Sequence, residues 1–133
     1  MRVSHFDQAV TNIYERDSSI EKEAYHMLRE ALDYTSDKAK EEGSDTNHVS
    51  ATELLTGFKQ FALEQYGPMA ATLLSEWNLT KCSDIGDMVF NLIEEGIFSK
   101  QESDKHSDFN EVYSFQEAFV DPFLPKTKMS STT

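Results

Sequence analysis

The chain has little cysteine and no long apolar run. Its single cysteine, Cys82, excludes an intramolecular disulfide among the 133 residues and fits a reducing compartment. No apolar stretch approaches the roughly 20 residues that a membrane-spanning helix needs. The first residues, Met1 to Asp7, lack the apolar centre of a signal peptide. These absences predict a cytoplasmic protein with no membrane span.

Basic residues are also scarce. The chain has 24 acidic and 12 basic side chains, and its formal net charge is −12. The charge is concentrated at the two ends, because residues 1–49 and 84–133 carry −5 and −6 while residues 50–83 carry −1. Affinity for nucleic acid comes largely from neutralising phosphates, so this balance disfavours nucleic acid. It favours a basic protein partner, although an acidic surface also serves solubility alone.

Motifs for cofactors and catalysis are missing as well. The five glycines form neither a Gly-x-Gly-x-x-Gly nor a phosphate-binding loop, and there is no nucleophile elbow. Cys82 precedes a predicted helix, but nothing in the sequence pairs a histidine with it, which favours a structural thiol. Glu23 and His26 have the Glu-x-x-His spacing of di-iron bundles, which use two such copies where this chain has one. We therefore predict no catalytic residue, metal or cofactor.

The least charged long stretch, Val49 to Trp77, is predicted to form the centre of the fold. Ser50 and Glu53 fit a capping box at the start of a helix. Gly67 and Pro68 suit the end of that helix and the first turn of the next. This pattern predicts a hydrophobic helix pair. The apolar stripe of its first helix is Leu54, Leu55, Phe58, Phe61, Ala62 and Tyr66.

Two helices are predicted before this pair. The first is capped by Ser4 and ends near Arg16, with apolar residues on one face. The second starts from a capping box of Ser18 and Glu21 and ends before a polar loop at residues 43–48. Both carry charged residues on the opposite face, which predicts that they pack around the central pair.

A further helix follows the central pair. We predict that Ser83 caps it and that Gly96 ends it in the left-handed conformation. Ile97 is then placed to contact Leu92, as in a Schellman motif. Glycine suits this position because it has no Cβ to clash in a left-handed backbone.

The C-terminal third is predicted to contain an exposed polar loop at residues 99–111 and a short helix. A capping box at Ser114 opens that helix, which places Phe115 and Phe119 on one face. Phe123 and Leu124 are expected to pack back onto the core. Residues 125–133 have the composition of a disordered tail, which leaves residues 1–124 as a single helical domain.

A winged helix is one specific form that this all-α fold could take. Residues 68–77 and 84–95 would form a helix-turn-helix, and a short two-stranded wing would lie near residues 97–113. The second helix would then present carboxylates and no base to DNA, which makes it a poor DNA reader. Those carboxylates are Asp84, Asp87, Glu94 and Glu95. We predict about five helices around the central hydrophobic pair, with the wing as an option.

Aromatic residues are more numerous than a small core strictly needs. Aromatic anchors often dominate protein interfaces, so some of these residues are candidates for binding a partner. At helical spacing they also suit the core and its rim, and this alternative stays open. The candidate partner-binding residues are Tyr66, Trp77, Tyr113, Phe119 and Phe123.

Several segments of the chain resemble a family of small bacterial proteins. They are residues 29–35 (REALDYT), 48–55 (HVSATELL), 62–69 (ALEQYGPM) leading to Glu76-Trp77, and 88–96 (MVFNLIEEG) with 113–119 and 122–123. The family is found mainly in the planctomycete–verrucomicrobia group, and the resemblance extends over nearly the whole chain up to residue 124. It implies a free-standing cytoplasmic bacterial protein. No activity is established for that family, so the resemblance assigns no functional residue.

The leading hypothesis is a non-enzymatic cytoplasmic protein-binding or adaptor module with a protein partner, which the acidic surface would favour as basic. Such a module should expose a contiguous apolar surface. A nucleic-acid-associated regulator with a winged-helix-like fold is the first alternative, and it should gather Lys81, Lys100 and Lys105 on one face. An enzyme with an unrecognised site is the second alternative. It should show a concave pocket with convergent carboxylates or histidines.

Overall fold

Five α-helices form the framework of the molecule. The computed structural model describes residues 5–41, 43, 50–98, 106–110 and 112–124. Helical residues make up 80% of this part of the chain and no described residue lies in a strand, which confirms the all-α prediction. The helices are α1 (His5–Arg16), α2 (Lys22–Glu41), α3 (Ala51–Tyr66), α4 (Ala70–Glu76) and α5 (Cys82–Glu94).

Helix α3 lies at the centre and begins as the sequence predicts. The Ser50 backbone N–H donates to Glu53 Oε1 at 2.9 Å, and the Glu53 N–H donates to Ser50 Oγ at 3.1 Å. Leu55 and Phe58 from this helix are fully buried. Its most extensive helix contact is with α2, although the sequence predicted a central pair of α3 and α4 with the other helices packed around it. Helix α4 has only seven residues, so it offers little surface for α3 to cover.

The junction between α3 and α4 also follows the prediction. Gly67 has a φ of +50°, a backbone conformation that favours glycine. Pro68 lies in the first turn of a short 3₁₀ helix, Gly67–Met69, which leads directly into α4. The end of α3 and the start of the following helical turn are therefore encoded by two adjacent residues.

Charged side chains connect α1 to the C-terminal end of α5. Arg16 donates hydrogen bonds to Glu94, at 3.2 Å, and to Glu95. Asn12 Nδ2 donates to Glu95 Oε1 at 3.1 Å. The hydrogen bond from Arg16 holds the pKa of the Glu95 carboxyl below its usual range. Two of the four carboxylates that a winged helix would present to DNA are thus engaged within the fold.

The end of α5 is a Schellman motif, as predicted. Gly96 has a φ of +80°. The Ile97 N–H donates to the Leu92 carbonyl at 2.9 Å, and the Gly96 N–H donates to the Ile93 carbonyl at 3.0 Å. These are the two bonds that define the motif.

We predict that Gly96→Val lowers the free energy of unfolding by about 1 kcal/mol or more, because a β-branched residue resists the left-handed conformation. A Cβ built on Gly96 meets no atom within 4 Å, so the cost comes from the backbone and not from a clash. Thermal unfolding followed by circular dichroism measures the change. Gly96→Asn is the matched control and should cost less, since asparagine tolerates this conformation. An unchanged melting temperature for Gly96→Val would contradict the assignment.

Helix α2 starts later than its predicted cap implies. It begins at Lys22, and a capping box at Ser18 would have started it three residues earlier. The Asp17 carboxylate instead accepts the Ser19 N–H at 3.0 Å and holds the chain in a bend before the helix. The predicted cap of α1, Ser4, lies outside the described residues.

The predicted wing is not supported, because the described residues from 97 to 113 contain no strand. Ile97 and Phe98 follow the end of α5 and donate their N–H groups to the Leu92 carbonyl, and His106–Phe109 forms one 3₁₀ turn. Residues 112–113 form bends. Residues 99–105 and 111, which the wing would also need, lie outside the described residues. Phe109 and Tyr113 cover the core instead of pairing as strands.

The last described residues are helical but irregular. Gln116–Val120 is a π-helix and Asp121–Phe123 is a 3₁₀ turn. We call residues 106–110 and 112–124 together the C-terminal segment. Phe123 and Leu124 are 43% and 50% exposed, so the expectation that they pack onto the core is wrong. The turn at Asp121-Pro122 directs the chain away from the core after the buried Phe119.

Two sequence predictions fall mainly on residues that the structure does not describe. The disordered tail at residues 125–133 lies outside the described part, as does the polar loop at residues 43–48 apart from Gly43. Among the described residues, no helix has both the length and the apolar character to cross a membrane.

Candidate functional site

An open groove lies where the start of α5 meets the C-terminal segment. Its volume is about 690 Å³, within the roughly 300–1,000 Å³ that is usual for ligand sites. Apolar and polar side chains both line it. They include Lys81, Ser83, Val112, Tyr113, Phe115 and Glu117.

The first wall is built by the linker between α4 and α5. Asn78 has a φ of +69°, and its N–H donates to the Ser75 carbonyl at 3.0 Å. The Leu79 N–H donates to the Leu74 carbonyl at 2.8 Å, which makes a second Schellman motif with asparagine in the left-handed position. Leu79 is buried and fixes the linker to the core. Residues 80–81 are thereby held at the edge of the groove.

The start of α5 differs from the prediction that Ser83 caps it. Lys81 is the residue before the helix, and Ser83 lies within the first turn and lines the groove. The Asp84 carboxylate accepts the Thr80 N–H at 2.9 Å and the Thr80 hydroxyl at 3.2 Å. Because Asp84 holds the linker and the buried Cys82 is drawn into the core, the helix begins one residue before Ser83.

The second wall is the C-terminal segment, and the ring of Phe109 holds it against the backbone of α5. Phe109 is buried against Gly86 in the middle of α5. A Cβ on Gly86 would lie 2.7 Å from the Phe109 Cβ, which is closer than real side chains approach. Phe90 meets the same ring edge-on at 6.1 Å between centroids. The absence of a side chain at Gly86 therefore allows the C-terminal segment to lie directly on α5.

Tyr113 fixes the same segment to α3. Its hydroxyl donates to the Leu55 carbonyl at 2.7 Å, and its ring stacks on Phe115 at 6.1 Å and meets Phe119 edge-on at 6.2 Å. Lys59 Nζ lies 5.3 Å from the centre of the Tyr113 ring. Burial raises the pKa of the Tyr113 phenol well above its usual range. The phenol is therefore a neutral anchor at ordinary pH.

Cys82 connects the two walls. Its thiol donates to the Tyr113 carbonyl at 3.2 Å, and the side chain is buried. Burial raises the pKa of this thiol, so it remains protonated near neutral pH. A thiol in this state is a poor nucleophile and here serves to hold Tyr113 in place.

The accessible part of the groove contains an apolar strip, which is formed by Val112 and Phe115. Val112 is 36% exposed and Phe115 is half-buried. Ser114 Oγ accepts the Glu117 N–H at 3.0 Å, which is one of the two bonds of the predicted capping box, and the Glu117 side chain is exposed at the rim. The strip is thus apolar in the middle and charged at its edge.

The charge around the groove is strongly one-sided. Within residues 82–98, 108–110 and 112–124, all ionised side chains are carboxylates. Lys81, from the linker, is the cationic side chain among the described residues that line the groove. The C-terminal segment and α5 are therefore acidic, and Lys81 adds one positive charge at the linker.

The structure separates the five aromatic residues that the sequence proposed for partner binding. Tyr113 lines the groove, whereas Phe119 is only 1% exposed and belongs to the core. Tyr66 and Trp77 are half-buried outside the groove and meet edge-on at 6.4 Å between centroids. Phe123 is exposed beyond the π-helix.

Two residues of this region were missed by the sequence analysis. Phe109 falls in a stretch predicted to be an exposed loop, and Val112 falls in the optional two-stranded wing. A signal for the first was present, because an isolated glycine inside a helical pattern, here Gly86, often marks a close approach of another chain segment. No comparable signal distinguishes Val112 from any other exposed apolar residue.

The Glu-x-x-His pair on α2 lies away from the groove. His26 Nε2 is 3.8 Å from the Asp7 carboxylate, and its ring meets Phe6 edge-on at 5.3 Å. The Glu23 side chain is exposed. Across the described part of the chain, no group of three or more histidine, cysteine, aspartate or glutamate side chains is placed to hold a metal ion.

Comparisons with known proteins identify no relative of this chain. It matches no protein-family model, no curated protein and no solved structure. The family resemblance seen in the sequence therefore stays a prediction.

Proposed function

We propose that the chain is a cytoplasmic, non-enzymatic protein-binding module whose groove receives an extended segment of a partner protein. The observation that carries the proposal is the open groove of about 690 Å³ with an exposed apolar residue, Val112, and the half-buried Phe115 in it. Apolar side chains that a fold leaves accessible in a concave site are the usual anchors of an interface.

The polar lining supports a polypeptide as the occupant. Asn110 and Ser83 line the groove beside the apolar strip. Amide and hydroxyl groups can pair with the backbone N–H and C=O groups of an extended chain. An extended segment then places alternate side chains on the apolar strip and in solvent.

The ionisation of the buried groups supports binding over catalysis. The Cys82 thiol and the Tyr113 phenol both have raised pKa values because they are buried, so neither supplies a nucleophile or a base near neutral pH. Both side chains are used in hydrogen bonds that hold the groove walls together. These two groups therefore suit a structural role in a binding groove better than a role in catalysis.

A photo-crosslinking residue at position 112 tests the proposal. We expect p-benzoylphenylalanine at Val112 to capture a reproducible protein from the native lysate after nuclease treatment. The same residue at Met69, which is 58% exposed and outside the groove, should not capture that protein. The captured protein is then purified and its affinity for the chain is measured by titration calorimetry.

Substitution of the same two residues completes the test. Val112→Asn should weaken the binding of the captured protein by about tenfold, because a polar amide replaces an apolar contact and adds no charge that a basic partner could pair with. Met69→Asn should change it less than about twofold, and both variants should keep the wild-type melting temperature, since both side chains are exposed. Equal capture at the two positions, or equal affinity of the two variants, would refute the groove as the binding site. Nucleic acid that co-purifies until nuclease removes it would favour the regulator.

A further inference from the structure

We infer that the groove binds a basic protein segment in which an apolar side chain is flanked by lysine or arginine. This inference rests on the proposed function, since it specifies the chemistry of the occupant of the same groove. It is carried by the charge of the elements that form the walls and by the apolar strip between them.

The C-terminal wall places one carboxylate, that of Glu117, in the lining of the groove. Glu117 lines the groove and its side chain is exposed. Asp121 follows one turn later in the chain, and its Oδ1 accepts a hydrogen bond from Gln116 Nε2 at 2.8 Å. This wall carries no lysine or arginine in its described residues. A cationic side chain of the partner therefore meets the Glu117 carboxylate at this edge of the groove, on a wall of negative charge.

Two lysines approach the groove, and neither reverses this charge. Lys81 lies at the linker, where the Asp84 carboxylate is bonded to the adjacent Thr80 and offsets its charge. Lys59 extends from α3 and lies over the face of the Tyr113 ring. The local charge is thus acidic on the C-terminal wall and close to balanced at the linker.

The overall charge acts in the same direction. The net charge of −12 attracts basic segments and repels acidic ones during encounter. Exposed ion pairs contribute little affinity by themselves, so charge alone does not hold a partner. The contact of an apolar side chain with Val112 and Phe115 supplies the remaining binding energy. Both requirements together specify a basic segment with an apolar anchor.

A peptide selection tests this chemistry. The probe is a display library of peptides with phenylalanine or leucine fixed at the centre and random flanks. The library is selected on the intact chain and counter-selected on the Val112→Asn variant, which loses the apolar contact without a change of charge. We expect the retained peptides to be enriched in lysine and arginine at the positions that flank the anchor.

Matched peptides then measure how much basic flanking residues increase the affinity. Three peptides share one anchor and carry arginine, glutamine or glutamate on both sides. By fluorescence anisotropy at about 0.05 M salt, we expect the arginine peptide to bind about tenfold more tightly than the glutamine peptide, and the glutamate peptide to bind most weakly. The preference should shrink at about 0.5 M salt, where screening shortens the range of the charges.

A charge-neutralising variant assigns the effect to the groove. Glu117→Gln should weaken binding of the arginine peptide about threefold and leave the glutamine peptide unchanged. Glu30→Gln, which removes an exposed carboxylate from α2, is the control and should change neither. An equal loss for both variants would overturn the role given to Glu117, because it would reflect the net charge alone.

The outcomes separate this inference from the proposed function. If the selected peptides carry neutral or acidic flanks and still lose affinity for Val112→Asn, the groove binds peptides and the basic partner is refuted. If no peptide is enriched on the intact chain over the Val112→Asn variant, both the inference and the proposed function are refuted.

Discussion

Replacement of Phe119 by alanine is expected to lower the free energy of unfolding by about 4 kcal/mol. The side chain is 1% exposed, and deletion of a buried phenylalanine removes its transfer free energy and leaves a cavity. Its ring also meets Phe115 edge-on at 5.0 Å, and such aromatic pairs add to the energy of burial. Phe119 was a candidate for partner binding from the sequence, but its burial predicts an effect on stability.

Urea denaturation followed by tryptophan fluorescence and circular dichroism measures this change. Phe119→Leu is the matched variant and should cost less than about 1.5 kcal/mol, because it keeps most of the apolar volume. Phe123→Ala is the surface control, since Phe123 is 43% exposed and its loss should change the stability by less than about 0.5 kcal/mol. Equal small effects for Phe119→Ala and Phe123→Ala would show that Phe119 does not close the core.

Phe119 is a poor choice of residue for a test of partner binding. Phe119 lies in the same aromatic cluster as Tyr113 and Phe115, which line the groove. A loss of partner binding in Phe119→Ala would therefore report the loosening of a groove wall. Val112 is the better residue for a binding test because its side chain is exposed and its removal leaves the core intact.

The parts of the fold that the sequence predicted correctly are encoded locally. The capping box of Ser50 and Glu53 and the left-handed turn at Gly96 each depend on a few consecutive residues. The all-α class follows from apolar spacing along each helix, which also needs no knowledge of the partner element. Local patterns are less decisive where neighbouring residues can interact with the same helix start. Ser83 was the predicted cap of α5, but the Asp84 side chain holds the linker before this helix.

The groove could not be predicted because its walls are joined by distant residues. The hydrogen bond from Tyr113 to Leu55 connects positions 58 residues apart, and that from Cys82 to Tyr113 connects positions 31 apart. Neither bond has a local sequence signal. The contact of Phe109 with Gly86 is similar, since glycine in a helix indicates a close approach but does not name the residue that approaches.

The sequence predicts an acidic α5, and the structure gives its carboxylates a different role from the one considered for a DNA-facing helix. As a DNA-facing helix it would have presented four carboxylates to phosphates. In the fold, Glu94 and Glu95 bind Arg16 of α1, and Asp84 holds the linker. The same negative charge therefore serves helix packing at one end of α5 and shapes the groove at the other.

Gly57→Ala is expected to lower the free energy of unfolding by about 3 kcal/mol and the melting temperature by roughly 10 °C. Gly57 lies where α3 crosses α2, and a Cβ there would be 1.8 Å from Thr35 Oγ1 and 2.9 Å from Thr35 Cβ. Thr35 has little room to move, because it is buried and its hydroxyl donates to the Ala31 carbonyl at 2.7 Å. The two helices would have to separate, which exposes part of the core.

A double-mutant cycle shows whether this contact is the cause. Thr35→Ala removes the hydroxyl and methyl groups, so Gly57→Ala should cost less in that background, although the close Cβ atoms leave part of the penalty. Additive effects of the two changes would mean that the helices are not in contact at this point. On α3, Gly57 faces α2 while Lys59, about half a turn further on, faces the C-terminal segment. We therefore expect Gly57→Ala to lower stability without changing the affinity of the folded protein for a peptide in the groove.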